Sequence, residues 1–76
     1  MIKSEELTHP ASCMNRAHAG EMMFVLLARD AAAPVAIRAW ASERVRIGKN
    51  RPTDAQIIDA LGCAIEMERQ RATSQI

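Results

Sequence analysis

Aromatic side chains are nearly absent from this sequence: 76 residues include one Phe, one Trp and no Tyr. The 49% of residues that are hydrophobic must therefore be mostly Met, Ile, Leu, Val and Ala, a palette that suits packed helices better than aromatic-laden sheets. Cysteine is equally scarce. Cys13 and Cys63 are too few for a disulfide framework or a four-cysteine zinc site. No long apolar run is present either. Met22 to Ala28 falls far short of the roughly 20 residues that cross a bilayer, and the first twenty residues, which carry Glu5, Glu6, His9 and Arg16, do not resemble a signal sequence. These absences imply a cytoplasmic setting with reduced cysteines and no membrane partner. Neither sign of charge dominates. A formal net charge of +1 argues against both an acidic nucleic-acid mimic and a strongly basic histone-like binder.

What is there is one small domain spanning 1–76. At this size folding hides only about 60% of the surface the unfolded chain exposes, so its own core is marginal. With no disulfide set or metal cluster to staple it, self-association is the expected staple. The expected fold is all-α, a bundle of about four helices that self-associates, with loose termini at 1–7 and 72–76.

Along the chain, Thr8 suits an N-cap, with Pro10 in the first turn of a helix over 9–18. Gly20 breaks that helix, and Glu21 favours the positive end of the next. The run Met22 to Leu27 suits either a buried strand or a buried helix. The alanine-rich context and the lack of a partner strand favour a central buried helix over 21–30. Pro34 forces a break, with Asp30 or an adjacent alanine capping a helix over 33–47. Ile37, Trp40, Ala41, Arg44 and Ile47 fall along one stripe of it, and Gly48 ends it. Thr53 and Gln56 form a capping-box pattern that opens a helix over 53–71. Ile57, Ile58, Leu61, Ala64 and Ile65 line its main face. Ile37, Trp40, Ile57, Leu61 and Ile65 are expected to pack together. Ala60, Ala64 and Met67 make a small-residue flank suited to a subunit contact.

Half the basic residues fall in one stretch. Arg38, Arg44, Arg46, Lys49 and Arg51 sit within fourteen residues that contain a single acid, Glu43. With Thr53 and the free N–H groups of the following helix, they suit an anion such as a phosphate or nucleotide. The plainer reading is that cations near a helix C-terminus favour its dipole, and that Asp54 competes for the next helix N-terminus. "TDAQIIDALG" resembles the first half of a helix-turn-helix, but Glu68 falls where the reading helix needs a buried aliphatic, so one continuous helix through Gly62 is expected. His9, Cys13, His18 and Cys63 are ligand types that zinc takes, without the close spacing of a metal site. They also lack the Gly-rich turn of a Cys/His nucleophile. Accordingly, no metal, no cofactor and no enzymatic activity is expected, and Trp40 is read as a core residue.

Finally, "HPASCMNRA" followed by "MFVLLARDAAAPVAIRAW" resembles a group of short proteins encoded by bacteriophages and prophages. The likeness covers residues 9 to 40 and rests on His9, Pro10, Ser12, Cys13, Arg16, Phe24, Val25, Leu26, Ala28, Asp30, Pro34, Arg38 and Trp40. It implies a phage context in a host cell and no particular mechanism. The expected function is a non-enzymatic modulator, for instance an anti-defence inhibitor, that blocks a host protein or sequesters an anionic small ligand. The alternative is a small DNA-binding regulator using the basic segment 38–51.

Overall fold

A computed structural model describes residues 1–73. Among these the chain is all-helical, in the order α1 (Lys3–Thr8), α2 (Cys13–Arg16), α3 (Ala33–Arg46) and α4 (Ala55–Ala72), with no strand. The two long helices form an antiparallel-connected pair and the two short ones a separate pair. This is less than a four-helix bundle.

The α3/α4 pair follows the sequence signals closely. Asp30 Oδ1 accepts a hydrogen bond from Ala32 N at 2.8 Å, and Ala33 N donates to Asp30 O at 3.0 Å. That turn sets Pro34 into the first turn of α3, where its missing N–H costs nothing. Gly48 ends the helix in the left-handed region at φ 78°, and Gly48 N reaches Val45 O. After the turn, α4 runs unbroken through Gly62. The Thr53/Gln56 capping box does not form. Asp54 is the N-cap residue instead, and Gln56 Oε1 accepts from Asn50 Nδ2.

Side-chain size decides which faces meet. The buried apolar residues among those described are Ala33, Pro34, Ala41, Ile57 and Ala64. Their spacing, continued by half-buried Ile37 and Val45 on α3 and by Ala60 and Met67 on α4, is the three-to-four repeat of a helix–helix seam. Small residues let the two helices approach closely, so the alanine flank faces inward. The expected five-residue cluster therefore divides. Ile57 is buried and Ile37 half-buried, while Trp40, Leu61 and Ile65 are 41%, 39% and 62% exposed.

The N-terminal third departs most from expectation. Residues 3–8 are helical rather than loose, and the helix expected over 9–18 shrinks to Cys13–Arg16. Thr8 closes α1, and Ser12 is the N-cap of α2, its Oγ accepting from Asn15 N at 3.1 Å. The same hydroxyl donates to Glu6 O at 2.6 Å, and the Glu6 carboxylate accepts Met14 N at 2.7 Å. This polar clasp buries Ser12 to 1% exposure and holds α1 against the start of α2.

No helix forms over 21–30. Residues 21–27 are irregular, 28–29 form a turn, and Met22 and Phe24 stand 94% and 86% exposed. The turn closed by Glu21 N on His18 O and the Asp30 turn leave too few residues between them to offset the cost of nucleating a helix without a packed face.

If the seam carries the fold, Ile57→Ala should lower urea-unfolding stability by about 2–3 kcal/mol. Val35→Ala, at a position 67% exposed, should cost under about 0.5 kcal/mol. Gly48→Ala should cost about 1 kcal/mol because of its positive φ.

Candidate functional site

The basic segment was the sequence's candidate anion site, and the structure disperses most of it. Arg38 points along the seam to α4, where its two terminal nitrogens bond Glu68 at 2.9 and 2.7 Å. Arg46 is paired with Glu43 three residues earlier on the same helix. Arg44 lies with its guanidinium 5.6 Å from the centroid of the Trp40 ring and donates from Nε to Asn50 Oδ1 at 2.7 Å. Three of the five cations therefore already have partners within the chain. Arg38 ties the helices together, and Arg44 braces the turn that joins them.

Lys49 and Arg51 remain. Both are exposed in the α3–α4 turn, and among the described residues neither side chain has a hydrogen-bond or ion-pair partner. Thr53, expected to contribute to the same site, is exposed beside them. Asp54 is the N-cap residue of α4, and its carboxylate is held in the preceding turn. Its carboxylate accepts Arg51 N at 2.9 Å and Asn50 Nδ2 at 3.1 Å, and the Arg51 N–H, then Asn50, hold it below its ordinary pKa. A fixed carboxylate at the mouth of α4 repels the phosphate that the α4 N–H groups would otherwise attract.

The expected subunit flank also takes a different place. Ala64 is fully buried in the single chain, and Ala60 and Met67 are half-buried on the same side of α4. The apolar surface left outside is the adjoining flank, where Ile58, Leu61 and Ile65 stand 56%, 39% and 62% exposed. An open groove of about 1050 Å³ runs beside it, lined by Ile2, Leu26, Leu27, Ile58, Gly62 and Met67 among others. Hydrophobicity alone could not separate these two faces in the sequence. The signal that does is size, because the small residues share one side.

The His and Cys residues have local roles. His9 Nδ1 accepts Ala11 N at 3.0 Å, and Asn15 Nδ2 donates to His9 O at 2.8 Å, which places His9 in the α1–α2 turn. Cys13 is exposed with Arg16 Nη2 3.8 Å from its Sγ, His18 lies near Glu21, and Cys63 is half-buried on α4. No three His, Cys, Asp or Glu side chains gather into a metal-sized cluster among the described residues, and no helix there is long and apolar enough to cross a membrane.

The sequence reading overlooked Met22–Leu27 as a surface. None of the backbone N–H groups from Met22 to Arg29 has a protein acceptor among the described residues. Six consecutive apolar residues thus sit outside any helix with their main chain free, in a chain that also carries the exposed Ile58–Ile65 stripe. No family model, curated protein or solved structure matches this chain.

The acidic partners predict a pH response. The Arg38 hydrogen bonds pull Glu68 below its ordinary pKa, as Arg46 does for Glu43 and Arg69 for Glu66. A lowered folded-state pKa contributes stability that is present above the unfolded carboxylate value of about 4.3 and lost as pH falls through the folded value. Thermal stability should therefore decline below about pH 4. Glu68→Gln, compared with the parent from pH 7 to pH 2, should be less stable at neutrality and show a shallower decline. Identical pH curves would remove Arg38–Glu68 from the set of stabilising pairs.

Proposed function

We propose that this chain is a non-enzymatic binding protein that acts by docking Met22–Leu27 onto another protein. One observation carries the reading: an apolar segment with unpaired N–H groups is left uncovered although the chain has helices against which it could have packed. Exposed Phe and Met side chains are costly in water and favourable in a partner's pocket, worth about 1.5–3 kcal/mol each when fully buried. Free N–H groups alongside them suit addition to a sheet edge, where main-chain bonds give affinity and alternate side chains give specificity. Met22 and Phe24, two apart and the most exposed, would enter the partner's pockets. The resemblance of residues 9–40 to short phage proteins supplies the setting. The partner is a protein of the host cell, and docking blocks a surface that the partner uses.

A second reading, an anionic small ligand, is favoured by unpartnered Lys49 and Arg51. It loses strength because Arg38, Arg44 and Arg46 are engaged and Asp54 sits at the α4 N-terminus. A DNA-binding regulator would rely on the same two cations, without a turn at Gly62 to form a reading helix.

The test places a photo-crosslinking residue at Phe24, identifies the cross-linked host protein, and measures affinity for it. Phe24→Ser should weaken binding by about 2–4 kcal/mol, as central interface residues do, without changing thermal stability, since that side chain is 86% exposed. Lys49→Ala/Arg51→Ala should bind as the parent does. The opposite pattern, with loss on removing the two cations and a steep salt dependence, would replace this reading with the anion or nucleic-acid one.

A further inference from the structure

Sulfur and imidazole donors are concentrated between α1 and the apolar segment: Cys13, Met14, His18, Met22 and Met23. All but Met14 line one open cavity of about 400 Å³ beside α2, together with Arg16 and Glu21. Two local devices hold them there. The buried Ser12 hydroxyl caps α2 and fixes Cys13 as its first residue. The turn from His18 to Glu21 is closed twice, by Glu21 N donating to His18 O at 2.9 Å and by His18 N donating to the Glu21 carboxylate at 3.0 Å. That turn folds Met22 and Met23 back toward Cys13.

All four donors are accessible. Cys13 is an exposed free thiol, and Arg16 Nη2, 3.8 Å from its Sγ, donates from the side and orients the sulfur. Neither ring nitrogen of His18 has a hydrogen-bond partner among the described residues, whereas His9 Nδ1 is occupied by Ala11 N. Met22 is 94% and Met23 41% exposed, so each thioether can turn about its three flexible bonds without leaving a core. Donor type then chooses the ion. Zinc is held by Cys, His, Asp and Glu, and no three of these gather among the described residues. Thiolate and thioether are soft ligands, which select monovalent copper. We propose that Cys13, His18, Met22 and Met23 form a binding site for one copper(I) ion. The thiol gives up its proton on binding, and the thiolate neutralises the charge of the ion. The site shares Met22 and Met23 with the apolar segment but does not rest on docking, since its readout is the metal.

Anaerobic titration of the full chain with copper(I), in competition with the chromophoric chelator bicinchoninate, tests the site. The chain should take one ion from the chelator. Changing a residue that only supports a metal ligand already costs about 10–100-fold in affinity, so losing two ligands in Met22→Leu/Met23→Leu should weaken copper binding by at least about 100-fold. Helical circular dichroism should be unchanged, because both residues are exposed. Cys13→Ser should bind as weakly, while Cys63→Ser and Phe24→Ser should bind as the parent does. Zinc titrated in place of copper should be held far more weakly. No transfer of copper from the chelator, parent-like affinity in the double methionine variant, loss of binding in Cys63→Ser, or equal affinity for zinc would each overturn the copper site.

Discussion

The rest of the structure depends on the close seam between α3 and α4. Its buried members are mainly alanines, Ala33, Ala41 and Ala64, with Pro34 and Ile57. Alanine loses no side-chain entropy on burial and lets two backbones come near each other. It also removes little apolar area from water, so a seam built from it contributes modestly to stability. The chain reinforces the seam with polar contacts: the two-point Arg38–Glu68 pair and the Arg44–Asn50–Asp54 bracket at the turn. Exposed ion pairs contribute little singly, which leaves burial at Ile57 as the largest apolar contribution of any one side chain.

Choosing small residues for the inside puts the large ones outside. Ile58, Leu61 and Ile65 on α4, Val35 and Trp40 on α3, and Ile47 just past its end are all exposed to water. The N-terminal third follows the same logic by different means. It is held by hydrogen bonds through Glu6, Ser12 and Asn15 rather than by an apolar core. Packing that excludes the bulky residues is what leaves them exposed to solvent.

Much of this was legible in the sequence, within definite limits. Pro34 after a run of alanines, Gly48 after Ile47, and unbroken helix-forming residues through Gly62 placed α3 and α4 to within one or two residues, because these signals act locally. The all-helical class followed from the missing aromatics. Face selection on α4 did not follow: hydrophobicity favoured the isoleucines inside, whereas the distance between helices favours the alanines. The Arg38–Glu68 pair spans thirty residues, so the basic segment resembled a free anion site until α4 was laid beside it. Met22–Leu27 was assigned to a helix because composition was weighed above context. Flanking turns at His18–Glu21 and Leu27–Asp30 leave it too short to nucleate a helix of its own, and of its six residues only Leu26 is half-buried. Ser12 outranked Thr8 as a cap because its hydroxyl serves two backbone partners at once.

α3 and α4 form the stable unit and leave most of Met22–Leu27 uncovered. Amide hydrogen exchange followed residue by residue tests it most directly, since protection reports which N–H groups are bonded and how rarely they open. Exchange from Met22 to Arg29 should run at nearly the rate of an unstructured peptide, against strong protection around Ala41 and Ala64. Comparable protection in both regions would contradict it, by showing that the apolar segment is folded into the chain's own core.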